Sequence, residues 1–443
     1  NVTIAIPKDN FDEPGLLFAF LPTQHQTGLP FHINADFFPS TDRKRVILGD
    51  DYQGRWNKAA IEAAAEALSE HLTELTTLLG HALFWELIDD IKDVHKKSVA
   101  RGNDAVFGCF WEKVKDELPK AGVIFTTTGV WVHPDESFLL RDGEEMEVVS
   151  ILEELGLNIA HESLRTHHNL LREIGVPYLN ALSLARAILK AGINEAVPSR
   201  EAEGWLQSSE NRELLGREVN RLLARASKDE KPIVVRQFVK CAIALTANGW
   251  LVPPQDVFRT SEQIIRCFEQ LGLSGRFLSD DNPEIIKSLA EELTPRSALD
   301  LLDEAPAETL VACWQQDHKT IVDIIVWFSE SGLSDDDKKR LRDLPLWPSN
   351  NKLHSLSELV VPGDFTDPLH LSKILDLSSL PVGRDFLFDI GARVLNLTTY
   401  ASEQVPQAFA SGDIASDVRR NLFELLTKNY SEISNSAEVR GAL

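Results

Sequence analysis

Three cations stand together at Arg43, Lys44 and Arg45, closing the stretch "FLPTQHQTGLPFHINADFFPSTDRKR" of residues 20–45. They follow the turn-forming run Pro39–Ser40–Thr41–Asp42 at the end of an alternating apolar segment. A guanidinium in such a turn presents a planar fork of N–H donors to a phosphate or carboxylate and stays charged at any physiological pH, and a lysine adds a compact point charge. The chemistry on offer is anion binding. The same cations can instead guard a sheet edge against pairing with another chain. At the level of residue types both readings stand.

Other groups are weaker candidates. His161, His167 and His168 in "HESLRTHH" are metal-ligand types, but Glu162 and these histidines lack a second cluster at ligand spacing. Zinc takes three or four ligands, so a solvated helix end is the expectation. His81, Glu86, Asp90 and His95 lie on one helical stretch, where a five-residue step does not bring side chains face to face. The runs "DEKP", "SDDDKK" and "RDGEEMEV" read as solvated loops. Neither a phosphate-cradling glycine loop nor G-x-S-x-G nor H-E-x-x-H occurs in the sequence. Cys109, Cys241, Cys267 and Cys313 are scattered, with no C-x-x-C pair, and are expected to be buried free thiols in a cytosolic, reducing setting.

The elements that position the cations are legible from periodicity. "GLLFAFL" (15–21) reads as a mostly buried strand. "FHINADFF" alternates, with Phe31, Ile33, Ala35 and Phe37 on one face and His32, Asn34 and Asp36 on the other. Val46–Leu48 is expected as a short return strand, completing an antiparallel sheet. From Trp56 the period becomes helical through Ile61, Ala64, Ala65, Leu68, Leu72, Leu75 and Leu79. Gly80 interrupts, and "ALFWELIDDIKDVH" continues as a second helix.

The remainder repeats itself. "LLREIGVPYLNAL" (170–182) matches "FLFDIGARVLNLT" (386–398) in the pattern L-x-[ED]-I-G-x-x-x-L-N. "IFTTTGVWVHP" (124–134) resembles "IALTANGWLVP" (243–253), aligning Trp131 with Trp250 and Pro134 with Pro253. "PLWPSNNKLHSLSEL" (345–359) has the same hairpin grammar. The expected fold is α+β: an N-terminal antiparallel sheet with long helices, then degenerate hairpin-plus-helix units. Residues 1–100, 101–228, 229–335 and 336–443 are the expected domains, with 226–232 and 329–339 as linker candidates.

Composition sets limits. The chain has 443 residues, 43% of them hydrophobic and 26% charged, in the range of ordinary globular domains. Its 68 acidic residues outnumber 45 Lys and Arg, for a net charge of −23, which disfavours direct contact with a nucleic-acid backbone. No apolar run approaches the roughly 20 residues that span a bilayer, so no membrane partner is expected. The single methionine, Met146, and a strand-like beginning suggest a piece of a longer polypeptide.

With these residues in view, a family resemblance emerges. The pattern F-x-F-L-P, T-G-L-P-x-H-[IV]-N, an Arg-rich turn and W-N resembles the segment after the nucleotide-binding domain in sacsin-like proteins. Phe18, Phe20, Leu21, Pro22, Thr27, Gly28, Leu29, Pro30, His32, Asn34, Arg43, Arg45, Trp56 and Asn57 carry it. The later hairpins and "FLFDIGARVLNL" resemble that family more loosely. The resemblance implies a GHKL-type, chaperone-related ATPase whose following domain acts as transducer. Arg43, Lys44 or Arg45 would then supply a cation in trans to the γ-phosphate. The Asp-x-Gly-x-Gly motif and the Mg²⁺-holding Asn are not in this sequence. ATP and Mg²⁺ are therefore expected only with an upstream domain, which would be a partner alongside client proteins. The alternatives are a non-catalytic interaction scaffold and an ATPase-linked component of a bacterial anti-phage defence or restriction system.

Overall fold

The computed structural model describes all residues except 10, 12, 102–104, 142–145, 366, 368, 369, 371, 407–414 and 435–443. The chain forms two compact units, Asn1–Asn194 with Glu203–Cys241, and Glu195–Ala202 with Ala242–Leu443.

The first unit begins with a four-stranded sheet, in order β1 (Val2–Ala5), β4 (His32–Ala35), β2 (Leu16–Ala19), β3 (Leu21–Gln26). Two of its pairings are antiparallel, and β2 runs parallel to β4 because the chain reverses into the edge strand β3 and reverses again on its way past β2 to β4. The alternation in "FHINADFF" takes the expected sense: Phe31, Ile33, Ala35 and Phe37 are all buried, whereas Asn34 and Asp36 are exposed. Helix α1 (Tyr52–Glu70) opens with Asp51 accepting from the Gly54 N–H at 2.7 Å and buries Ile61, Ala64, Ala65 and Leu68. The following helix α2 (Leu72–Arg101) is broken at Gly80, whose φ of +74° lies in the left-handed region that glycine enters without a Cβ penalty. Helix α3 (Cys109–Glu117) packs on α1, and Leu17, Phe31, Ile33, Phe84, Trp85 and Phe110 are fully buried between sheet and helices.

The return strand expected at Val46–Leu48 does not form a ladder. Only Val46 bridges Pro39. The buried Asn57 side chain of α1 takes the place of a partner strand: it accepts from Phe38 N–H at 2.8 Å and donates to the carbonyls of Phe38 (2.9 Å) and Ile47 (2.8 Å). An amide has a donor and an acceptor side, so one residue satisfies both strands and ties residues 38–47 to α1.

The hairpin-plus-helix units are three copies of one design. In the first copy, β5 (Ile124–Phe125) and β6 (Trp131–Val132) make the hairpin, a 3₁₀ turn follows at Pro134–Glu136, and β7 (Ser137–Phe138) runs parallel to β8 (Asn158–Ile159). The short helices α4 (Val149–Glu154) and α5 (His168–Glu173) lie between the strand returns. Helices α6 (Ala181–Lys190), α7 (Gly204–Gln207), α8 (Ser209–Arg225) and α9 (Glu230–Phe238) complete this unit, with α9 arising inside the stretch read as a linker.

The second unit repeats the design twice. β9 (Val197–Pro198) adds to the hairpin of β10 (Ala244–Leu245) and β11 (Trp250–Val252), and β12 (Phe258–Arg259) pairs in parallel with β13 (Glu291–Glu292). Then β14 (Trp347–Ser349) and β15 (Lys352–His354) make a hairpin, and β16 (Val360–Val361) pairs in parallel with β17 (Arg393–Val394). The backbone bonds are equivalent across copies. Ala160, Leu278 and Leu375 donate to Phe138, Phe258 and Val360 at 2.9, 3.1 and 3.0 Å. Leu179, Leu293 and Leu395 donate to Leu139, Arg259 and Val361 at 2.9, 2.9 and 2.8 Å. The 216-residue offset holds in three dimensions: Gly175 and Gly391 have φ of +104° and +92°, and Val176 and Ala392 donate back to Leu171 and Leu387.

The alignment of Trp131 with Trp250 is corrected by one residue. Thr126 and Thr246 occupy the same turn position, since each hydroxyl donates to the carbonyl four residues on, Val130 and Trp250, both at 3.0 Å. Gly129 and Gly249, at φ +81° and +82°, close the turn onto those threonines. Trp250 is therefore the counterpart of Val130, and Trp131 that of Leu251. A one-residue slip puts a side chain on the other face of a hairpin, and Pro134 accordingly matches Pro254, not Pro253.

Candidate functional site

The turn at 40–45 is built by its polar residues. Ser40 N–H donates to Arg45 carbonyl at 2.7 Å, and Arg43 N–H donates to Ser40 carbonyl at 2.8 Å. The Asp42 carboxylate accepts from the Ser40 hydroxyl at 2.7 Å and from Lys44 N–H at 3.1 Å. Those two bonds, the hydroxyl first, hold the Asp42 carboxyl below its ordinary range. Arg43 sits at φ +56°, an uncommon conformation for a non-glycine residue.

That conformation goes with a specific contact. Arg43 Nη2 donates to the Ala19 carbonyl at 2.9 Å, at the end of β2. The hairpin there turns on a single residue, Phe20, itself at φ +63° and braced by its N–H to Asn34 Oδ1 at 3.3 Å. Phe20 is 82% exposed and Leu21 is 61% exposed. An apolar tip thus stands beside three exposed cations, none of which forms an ion pair with a carboxylate among the described residues. The three divide by role: Arg43 is committed to the tip, while Lys44 and Arg45 are held only through their backbone.

Several other residues of the same motif hold the fold. His32 Nδ1 accepts from Leu16 N–H at 3.0 Å, and its ring packs edge-on to Phe18. Trp56 Nε1 donates to Asp36 carbonyl at 2.9 Å. Thr27 Oγ1 donates to Gly15 carbonyl at 3.1 Å, and a Cβ on Gly15 would lie 1.7 Å from the Phe31 carbonyl, so only glycine fits.

The histidines do not converge on a metal. His161 Nδ1 accepts from Ser163 N–H at 3.2 Å, His167 Nδ1 meets Asp89, and His168 Nδ1 lies 3.1 Å from Arg165 carbonyl. His81 stacks on Phe125 with ring centroids 4.6 Å apart, and His95 Nδ1 contacts Gly108 carbonyl. Asp90 is raised by burial and by the neighbouring Glu86, Asp93 and Asp89. Among the described residues no group of three or more His, Cys, Asp or Glu is placed to hold a metal ion.

The thiols are free, three of them buried and Cys109 half-buried. Burial pushes Cys109, Cys241 and Cys267 up to about 12, far from the thiolate that nucleophilic chemistry needs. Among the described residues no helix is long and apolar enough to cross a membrane. No family model, no curated protein and no solved structure matches the chain.

Proposed function

We propose that this chain is the transducer and partner-binding portion of a sacsin-like, chaperone-type ATPase, with ATP and Mg²⁺ held by an upstream nucleotide-binding domain. The observation that carries this reading is the exposed edge of the N-terminal sheet. Arg43 clamps the tip that carries Phe20 and Leu21, and the unneutralised Lys44 and Arg45 stand beside it. A docking domain would bury the apolar tip while its nucleotide meets a cation. Asn57 ties residues 38–47, the segment that carries the cations, to α1, and Trp56 ties the end of β4 to it, so a displacement there would reach the long helices. Client proteins would be held by the later units.

In the full-length protein, Arg45→Ala and Lys44→Ala remove charge and leave the turn intact. Loss of the cation that meets the γ-phosphate lowers hydrolysis by about 10³–10⁵ while nucleotide binding persists. Arg43→Lys keeps the charge but loses the guanidinium fork that reaches the Ala19 carbonyl, and so tests the clamp separately from the charge. Unchanged hydrolysis in the Lys44→Ala, Arg45→Ala double variant would leave the cations as an edge guard and sink the transducer reading.

The threefold design favours a second reading, a non-catalytic interaction scaffold whose repeated units present loops on a common frame. Limited proteolysis of the full-length protein with and without ATP separates the two. A cleavage pattern that changes with ATP rules out the scaffold.

A further inference from the structure

A cleft of about 470 Å³ opens in the second unit between β11, the 3₁₀ turn Pro254–Asp256 that follows it and the loop at 272–276. Leu251 of β11 points into the core at 0% exposure, so strand alternation turns Trp250 and Val252 the other way, into the cleft. Trp250 keeps 40% of its surface exposed, and among the described residues no ring or cation covers its indole. Val252 and Leu273 supply the apolar wall beside it. We propose that this cleft binds a quaternary ammonium group, with the cation on the Trp250 face and its N-alkyl groups on the apolar wall.

An indole is the strongest aromatic face for a cation, because its π system holds negative charge above the ring. Asp256 adds a full negative charge to the same lining, and its carboxylate has no ion pair or hydrogen bond among the described residues. Attraction between charges depends on their separation and not on donor alignment, so a place in the same cleft is enough. The cation that could oppose it, Arg276, is neutralised: its Nη2 donates to both carboxylate oxygens of Glu304, at 3.0 and 3.3 Å. The cleft is left with a surplus of negative charge in a chain of net charge −23, which draws cations and repels anions.

The apolar wall selects the kind of cation. A primary ammonium is strongly hydrated and needs three acceptors, whereas a quaternary one has no N–H, spreads its charge over methyl groups and gains from Val252 and Leu273. Asn248 adds a polar contact. Its Nδ2 lies 3.0 Å from where a Cβ on Gly275 would stand, so glycine there leaves the amide its room. Oδ1 meets the Thr246 hydroxyl at 2.5 Å, and the N–H donors of Nδ2 remain for an oxygen on the ligand.

Titration of the intact chain with choline tests this, followed by the indole N–H resonances of protein labelled at tryptophan. The Trp250 signal is the one that Trp250→Ala removes, and potassium chloride at equal concentration controls for ionic strength. Choline is expected to shift that signal saturably and to bind at least about fivefold more tightly than 3,3-dimethyl-1-butanol, its neutral isostere. Trp250→Ala, at a solvent-facing position that folding tolerates, should weaken choline at least about fivefold when binding is read by calorimetry. Asp256→Asn removes the charge at an exposed site and should weaken choline while leaving the neutral isostere unchanged. An acetylated, amidated peptide bearing one Nε-trimethyl-lysine distinguishes the source. Tighter binding than choline assigns the cleft to a modified side chain of a partner, and equal or weaker binding to a free small molecule. No saturable shift at millimolar choline, choline no tighter than its isostere, or an affinity indifferent to Trp250→Ala would each overturn the proposal.

Discussion

The hairpins at 124–132 and 244–252 share a threonine–glycine turn and expose the same position, but that position holds Val130 in one and Trp250 in the other. In the first, Trp131 packs on Phe125 and Phe84 at ring-centroid distances of 5.1 and 6.3 Å, and Val130 is the exposed neighbour. In the second, Leu251 is fully buried and Trp250 is 40% exposed. The turn, fixed by Thr126 or Thr246 and a left-handed glycine, sets the register. The tryptophan does not: a large side chain takes whichever face its position gives it. The third hairpin makes the point from the other side. Its two-residue turn at Asn350 and Asn351, with φ of +47° and +63°, delivers Trp347 to the core at 0% exposure, where Nε1 donates to Leu341 carbonyl at 3.1 Å.

The largest effect that can break this comparison is therefore a difference between tryptophans. Trp347→Ala removes a fully buried indole and its hydrogen bond and should destabilise the second unit by about 3–5 kcal/mol. Trp250→Ala, on the solvent face of a hairpin in the same unit, should stay within about 0.5 kcal/mol. Urea denaturation followed by circular dichroism measures both. Equal losses would mean that Trp250 is a core residue and that the register assigned to its turn is wrong.

Much of this frame was legible in the sequence. Period-two alternation placed Phe31, Ile33, Ala35 and Phe37 on the buried face, and Gly80 marked the break in α2. The L-x-[ED]-I-G-x-x-x-L-N pattern survived as structure because Gly175 and Gly391 end helices in the left-handed region and Asn180 caps α6. The middle copy escaped the pattern. Its helix Glu284–Leu289 ends at Ala290 without a glycine, and Thr294 caps the next helix where the first copy has asparagine. Hydroxyl and amide both cap, so physics conserves the role while the letter changes. The return strand at 46–48 failed because Asn57, from a helix, satisfies the groups a strand would. At the candidate site the cations were plain, but the Arg43–Ala19 clamp joins residues 24 apart and depends on two left-handed residues.

Smaller effects sharpen the turn argument. Gly129→Ala and Gly249→Ala put a Cβ at φ near +80° and should each cost about 1–2 kcal/mol in thermal or urea unfolding. Asn350→Gly, at a turn already left-handed, should cost only a few tenths. Thr126→Val and Thr246→Val keep volume but lose the turn hydroxyl, at about 1 kcal/mol each. If the threonine variants cost nothing while the glycine variants do, glycine alone sets the register.

The smallest expected effect separates the first copy from the other two by pH. After the strand return, the copies place His161, Ser279 and Asp376 at the same position, each donating its N–H to Phe125, Leu245 and Pro348 at 2.9 Å. Only the first copy has an imidazole there, 5.1 Å from the ring of His81. Burial, and then the charge of His161, push the His81 pKa below its ordinary value. The unfolded chain takes up that proton near pH 6.5 and the folded chain does so lower, so the unfolded state binds more protons between the two values. This contribution to stability is complete above about pH 6.5. It falls as pH drops through the window between the unfolded and folded pKa, and levels off below it. His81→Phe keeps a ring against Phe125 and removes the titration. Its denaturation midpoint, measured from pH 7.5 to 5 beside the parent chain, should fall less steeply. An unchanged slope would place the pH sensitivity elsewhere and leave the imidazole pair of the first copy as packing alone.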